Sequence, residues 1–261
     1  MQADVYKLTK STAIKCILAI TTVSAVIMTI IAYLVPQGKV EANLTGLGFM
    51  FSDVNLVSIL GAVIAGLLIC SDFDNKIIHD AIATGNGRGA IITSKAIVYG
   101  CALVIILLPY AIVTGIALST GSTFNMGSIA VGYLNLLTSN GSTPYAASDI
   151  WRLASVLFTL MIVYVEQLSI CVPLALLLKK PVLVVAVYYG FSILITQLAR
   201  LSASYEVFDR IFSLTPYGGN YTMVTLNTGT DDMVKAIIVS FIFIIGMVAV
   251  AYGTFRKAEI K

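Results

Sequence analysis

The most polar internal stretch of the chain, residues 71–95, carries the side chains best suited to ionic contacts or proton transfer. The charged and titratable candidates there are Asp72, Asp74, Lys76, His79, Asp80 and Arg88. His79 is the only histidine and can titrate near neutral pH, although its place fits a surface contact better than a pH switch. The pattern predicts contacts with a soluble partner or, alternatively, a solvated loop whose charges keep it out of lipid.

Three closely spaced glycines in this stretch resemble a phosphate-binding loop. They are Gly85, Gly87 and Gly89, but neither the GxxxxGK[ST] nor the GxGxxG spacing is met, and no strand pattern precedes them. We therefore interpret them as turn residues. The sequence predicts no nucleotide-hydrolysing machinery in this chain, so any ATP and Mg²⁺ would be bound by a partner subunit.

Glu166 is the only acidic residue deep inside an apolar run, and Gln167 lies beside it. A charged side chain at the bilayer centre costs about 2.5–3.5 kcal/mol on insertion scales, so it should face other helices. Two interpretations stay open: Glu166 lines or gates a translocation path, or it makes a helix-to-helix hydrogen bond. Gln197, near the end of a later apolar run, is a third residue considered for such a path.

Enzymatic and metal chemistry find little support in the sequence. An intramembrane protease needs a Ser/His pair, paired aspartates or an HExxH set within the membrane. The four cysteines form no CxxC pair and lie in or beside apolar runs, which argues against a disulfide framework or a zinc site. We therefore expect a non-enzymatic chain without a bound cofactor.

The elements that position these residues are apolar. Of the 261 residues 58% are hydrophobic and only 11% charged, which places the chain in the membrane class. A span needs about 20 apolar residues. Six segments qualify and predict an all-α, single transmembrane domain over residues 1–261, with spans at about 14–35, 54–71, 95–118, 153–178, 182–199 and 234–255.

Lysine and arginine placement predicts the orientation. Eleven of the 16 basic residues fall on the side of the N-terminus, which predicts a cell-membrane protein with both termini cytoplasmic. The net charge of +3 is small and dispersed, so no nucleic-acid partner is expected. Residues 5–15 fit either a short interfacial helix or a frayed basic terminus.

The linking segments also have predicted structure. Asp72 and Asp74 are expected to cap a helix that begins near Asn75 and ends at Gly85, followed by turns at Asn86–Gly87 and Arg88–Gly89. The apolar face of this helix is predicted to hold Ile77, Ile78, Ala81 and Ile82. Residues 126–137 predict an interfacial or re-entrant piece, and residues 205–219 a broken helix before the last span. Pro109 and Pro173 should kink their spans.

This organisation resembles the permease subunit of type-2 ABC exporters. The resemblance rests on six spans, cytoplasmic termini, and a loop after span two of the form Asp72-x-x-x-Lys76, a helix, Gly85-x-x-Arg88 and then Lys95. Where that family commonly has Glu followed by Gly-Thr, this chain has Asp74-Asn75-Lys76. The N-terminal segment and the broken outer helix are similar to family features as well.

The resemblance implies a function. The helix after span two would be a coupling helix that docks on a separate ATPase subunit, with Asp72, Asp74, Lys76, His79, Asp80 and Arg88 as candidate contacts. Two permease subunits, identical or not, would form the pathway, and a peptide or small amphiphile would be exported, as in antimicrobial peptide export or self-immunity. The alternative is an ion-coupled secondary transporter or channel that uses Glu166 as its ion-linked group.

Overall fold

The computed structural model describes residues 2–40, 50–126, 131–139, 150–202, 205–213, 215–218 and 220–257. Every regular element in these ranges is a helix, and no strand occurs within them, which confirms the all-α class. The helices are α1 (Gln2–Lys10), α2 (Thr12–Leu34), α3 (Asp53–Asp74), α4 (Ile77–Ala83), α5 (Arg88–Ser119), α6 (Gly132–Thr138), α7 (Ile150–Leu168), α8 (Cys171–Leu178), α9 (Pro181–Ser202), α10 (Glu206–Phe212) and α11 (Thr230–Lys257), with a 3₁₀ turn at Asn220–Met223.

Five helices are long and apolar enough to cross a membrane, which indicates a multi-pass membrane protein. They are α2, α3, α5, the α7–α8 pair and α11. The apolar part of α9, Pro181–Ile195, is shorter, so the sixth span stays a prediction. Span boundaries agree closely with the sequence except that α5 begins at Arg88. Residues 88–94 are too polar to be recognised as part of an apolar run, although they belong to the same helix.

The two interior prolines have different effects. The helical run from Ile150 to Leu178 breaks at Ser169–Ile170, four residues before Pro173, where the Ser169 N–H donates to the Glu166 carbonyl at 2.9 Å. A proline ring clashes with the carbonyl four residues earlier, so the predicted kink is confirmed there. The α5 helix instead continues without a break across Pro109.

The α3 helix begins well inside the bundle. The carbonyl of Phe51 accepts hydrogen bonds from Ser24 Oγ and Tyr110 Oη, both at 2.9 Å. At 1.5 Å per residue, Ser24 lies about 15 Å along α2 from its end at Leu34. Because Phe51 is level with Ser24, α3 starts about 15 Å deeper in the bundle than the end of α2. The α6 helix covers this recess with fully buried apolar side chains: Tyr133, Leu134, Leu136 and Leu137. The predicted interfacial or re-entrant piece is therefore a buried helix within its described residues, while 127–130 lie outside them.

Candidate functional site

The polar segment folds as a short helix between α3 and α5. After α3, Lys76 adopts a left-handed conformation with φ of 58°, and α4 follows it. Gly85 has φ of +89° and donates to the Ile82 carbonyl, while the Asn86 N–H donates to the Ala81 carbonyl. These two bonds form the Schellman motif that ends many helices. The predicted helix and its stop at Gly85 are confirmed, but the helix begins at Ile77 rather than near Asn75.

The predicted capping role of Asp72 and Asp74 is wrong. The chain stays helical through Asp74, so both carboxylates lie in the last turn of α3, and α4 has no side-chain cap. A helix C-terminus disfavours negative charge, and Asp72 therefore needs compensation from elsewhere. The predicted turn at Arg88–Gly89 is likewise wrong, because α5 begins at Arg88 directly after Gly87.

Asp72 is part of a buried ionic network that joins α1, α3 and α5. Its side chain is 1% exposed, and its two oxygens accept from Lys7 Nζ at 2.7 Å and from Lys95 Nζ. Lys95 also pairs with Asp4 of α1. Two acids and two bases alternate here, so the network is neutral. The buried Asp72 does not lie on the surface available to a partner.

The remaining charged candidates have two different environments. Asp74, Lys76 and Asp80 are exposed, and His79 is half-buried beside them. Arg88 instead binds the end of α11: its Nη1 donates to the carbonyls of Phe255 and Arg256 at 3.2 and 3.0 Å, and its guanidinium lies over the Phe255 ring. Arg88 therefore fixes α5 to α11.

One face of α4 packs on the bundle and the other is open. Ile78 is 1% exposed, and Ala81 and Ile82 are partly buried, as predicted. Ile77 is 46% exposed, which contradicts its predicted place on the apolar face. It is the first residue of α4 and points about 100° away from the buried Ile78, so it lies at the rim of that face. An exposed isoleucine between charged residues gives this surface both apolar and ionic character.

Glu166 is fully buried between α7 and α11. Its Oε2 accepts a hydrogen bond from Ser240 Oγ at 2.5 Å, so the helix-to-helix contact considered for it is present. Oε1 has no hydrogen-bond partner within the described ranges. Tyr221 lies nearby, and burial of its ring, followed by the charge of Glu166, raises the pKa of its phenol.

Gln167 contacts the segment that precedes α11, at Pro216 and Tyr217, and makes no hydrogen bond to Glu166 within the described residues. Its Nε2 donates to the Pro216 carbonyl at 3.1 Å, and the Tyr217 hydroxyl donates to the Gln167 carbonyl at 2.7 Å. The ring of Tyr217 makes edge contacts with Phe191 and Phe243. In the described residues of this segment, helix α10 and the 3₁₀ turn at Asn220–Met223 are separate, and the turn at Pro216–Tyr217 contacts Gln167. Its re-entrant character stays a prediction.

Gln197 is separate from these residues. It is exposed near the end of α9, whereas Glu166 is buried between α7 and α11. Glu166 and Gln167 are therefore adjacent only in sequence, and their side chains contact different elements.

A third buried acid, Asp53, was not predicted from the sequence. It is fully buried, and its Oδ2 accepts from the Tyr133 N–H at 2.8 Å and from the Tyr164 hydroxyl. Tyr133 stacks between Tyr110 and Tyr164, with ring centroids 6.4 and 6.0 Å apart. The available signal was an acidic residue immediately before an apolar run. Asp53 lies one residue before the predicted span 54–71, and hydropathy does not show that α3 starts level with Ser24 of α2, inside the bundle.

Tyr164 and Glu166 place buried polar contacts on two opposite sides of α7. Residues two positions apart on a helix point about 200° away from each other. Tyr164 faces Asp53 on the side of α3, and Glu166 faces Ser240 on the side of α11. The α7 helix is therefore fixed at one depth by polar contacts in two directions.

Comparisons with known proteins identify no relative. No family model, no curated protein and no solved structure matches this chain.

Proposed function

We propose that this chain is the transmembrane permease subunit of an ATP-binding-cassette exporter and works with a separate ATPase subunit. The observation that carries the proposal is the exposed surface at α4, formed by Asp74 and Lys76 just before the helix and by Ile77 and Asp80 within it, at one end of the helical bundle. A protein interface usually has an apolar centre surrounded by a polar rim, and Ile77 with its polar neighbours has this arrangement.

The attachments of α4 support a role in transmitting movement. A tight turn at Lys76 joins it to α3, and the Schellman motif at Gly85 joins it to α5. Arg88 then fixes the start of α5 to the end of α11. A displacement of α4 by an ATPase would therefore act on three helices, and this would tilt the bundle during each ATP cycle.

The full arrangement follows from the family resemblance. We propose six spans with α9 as the fifth, cytoplasmic termini in the plasma membrane, and a dimer of permease subunits with one ATPase below each. ATP and Mg²⁺ would be bound by the ATPase. The short outer segments suit export of a peptide or small amphiphile, including self-immunity against an antimicrobial peptide.

A charge-neutral double variant tests the docking surface. Lys76→Gln with Asp80→Asn removes the base that precedes α4 and an acid of α4, four residues apart. The matched control, Glu206→Gln with Arg210→Gln, removes an exposed ion pair of the same spacing from α10. Co-purification with the ATPase encoded by a neighbouring gene, followed by ATPase-driven transport, is the measurement.

We expect the α4 variant to lose the ATPase and the α10 variant to retain it. Arg88 is left unchanged because it holds α11 and its removal would disturb the fold. Full ATPase binding and transport by the α4 variant would exclude a docking role for this surface.

A second candidate function is supported by Glu166. A buried carboxylate with one oxygen unpartnered among the described residues has the properties of an ion-linked group in a secondary transporter or channel. Purified chain in proteoliposomes, without any ATPase, separates the two functions. Transport driven by an ion gradient alone would favour this second function over the first.

A further inference from the structure

A small cavity lies where α1, the start of α2 and the end of α3 meet. Its volume is about 200 Å³, and Lys7, Ser11, Ile14, Leu67, Leu68 and Asn75 contribute to its lining. Because α3 ends and α2 begins here, the cavity lies at one membrane surface rather than in the bundle interior. A π-helical turn over Gly66–Cys70 contributes Leu67 and Leu68 to the wall.

The polar end of the cavity offers hydrogen-bond donors. The Lys7 ammonium has three N–H groups and uses two, on Ser71 Oγ at 2.6 Å and Asp72 Oδ1 at 2.7 Å. The Asn75 amide uses one N–H on the Ser71 carbonyl at 2.8 Å, which leaves a second. Ser11 precedes α2, but its hydroxyl makes no capping bond. Three donors thus surround a space that needs an acceptor-rich ligand.

The other end of the cavity is apolar. Ile14 and Leu68 are buried side chains, and Leu67 is partly buried. A ligand that fills the cavity must therefore have an acceptor group at the membrane surface and hydrocarbon directly below it. Phospholipids have this arrangement, with the phosphodiester next to the first methylene groups of the acyl chains.

The charges around the cavity favour a negative headgroup. Asp72 is neutralised by Lys95 and Lys7, and Lys95 is shared with Asp4. Lys15 is exposed one residue after the cavity residue Ile14 and adds positive charge to this membrane surface. Basic residues near an anionic leaflet attract its headgroups.

We propose that this cavity is a binding site for one anionic phospholipid. Lys7, Ser11 and Asn75 hold its phosphate, and Ile14, Leu67 and Leu68 contact the upper part of an acyl chain. The bound lipid then connects α1 to α2 and α3 next to its ionic contact with α5, because Asp4 and Lys7 lie three residues apart on one face of α1. This site is independent of whether an ATPase docks on α4.

Lipid retention by the purified full chain tests the proposal. The chain is reconstituted in phosphatidylcholine nanodiscs with and without phosphatidylglycerol, released into detergent, and examined by native mass spectrometry. We expect one retained phosphatidylglycerol per chain. Ser11→Ala with Asn75→Ala removes two donors while leaving the Lys7–Asp72 pair in place, and should lower retention by about tenfold or more, because each donor lost to a charged phosphate weakens binding.

The matched control is Lys10→Gln, which removes an exposed charge of α1 that does not line the cavity. It should retain the lipid, and Lys7→Arg should retain it as well because the positive donor persists. Equal retention by wild type and the double variant would overturn the proposal. An equal loss in Lys10→Gln would show diffuse attraction instead of a site, and displacement by inorganic phosphate would show an ion site without acyl contacts.

Discussion

Asp72 and Lys95 form a buried ion pair that connects the last turn of α3 to the second turn of α5. The pair lies on either side of α4 in the sequence and fixes the two helices that α4 joins. Lys7 and Asp4 of α1 complete it, so the N-terminal helix is attached by charges of both signs. The polar segment therefore has a buried ionic base and an exposed surface, with different physical roles.

Breaking this pair from one side should be strongly destabilising. Lys95→Met leaves the 1% exposed Asp72 with only the more exposed Lys7, and loss of one partner of a buried pair costs about 3–5 kcal/mol. Thermal unfolding in detergent is the measurement. The double variant Asp72→Leu with Lys95→Met should recover part of the loss, because no buried charge remains unpaired. A double variant less stable than Lys95→Met would contradict this account.

Removing the Asp53 carboxylate should weaken the packing of α6 over the start of α3. Asp53→Leu leaves the Tyr164 hydroxyl and the Tyr133 N–H without their acceptor, at about 1–3 kcal/mol for each buried donor. Tyr164→Phe removes only one of the two bonds and should cost less. The exposed Tyr189→Phe is the control, and we expect unchanged thermal unfolding for it. Equal stability of Asp53→Leu and the wild type would rule out this polar contact as a stabilising one.

Three glycine-to-alanine variants separate backbone strain from steric conflict. Gly87 has φ of −63° with open space around it, so Gly87→Ala should be neutral. Gly85 has φ of +89° and open space, so Gly85→Ala should cost roughly 1–2 kcal/mol of conformational strain. Gly132 has φ of +64°, and an added Cβ would lie 2.0 Å from the Tyr164 hydroxyl and 2.2 Å from Asp53 Oδ2.

Gly132→Ala should therefore be the most destabilising of the three in thermal unfolding. The conflict is with buried polar atoms that hold α6 over α3, so the α6 cover must move. The order Gly87, Gly85, Gly132 in increasing loss of stability is the expected result. Equal effects at Gly85 and Gly132 would mean that the space around Gly132 adjusts without cost.

Glu166 variants distinguish a structural contact from a transport role. Glu166→Gln keeps a hydrogen-bond acceptor for Ser240 in a side chain of the same size, so its thermal stability should at least equal that of the wild type. Glu166→Ala leaves a cavity and an unpaired Ser240 and should be less stable. Transport is measured in the same preparations, with Ser240→Ala as the control for the hydrogen bond alone.

We expect Glu166→Gln to fold well and to lose transport. Normal transport in both Glu166→Gln and Glu166→Ala would exclude a transport role, and Glu166 would then serve only as a structural contact to α11.

The sequence was informative where local pattern determines structure. Runs of apolar residues located the membrane helices, and Gly85 located the end of α4 because only glycine adopts its backbone conformation without strain. The pairing of Asp72 with Lys95 and Lys7 was not predicted, since it joins residues far apart in sequence. Asp53 was missed for the same reason, because its acceptor role depends on the depth at which α3 meets α6 and α7.

The length of α5 has a mechanical consequence. Its 32 residues span about 48 Å, whereas the hydrocarbon core of a bilayer is about 30 Å thick. The helix is therefore a rigid arm that extends past the lipid at the end marked by Arg88. A tilt of about 10° around its far end would move Arg88 by about 8 Å, for a rod of this length. A small rotation of α5 within the membrane would therefore produce a large sideways displacement of α4.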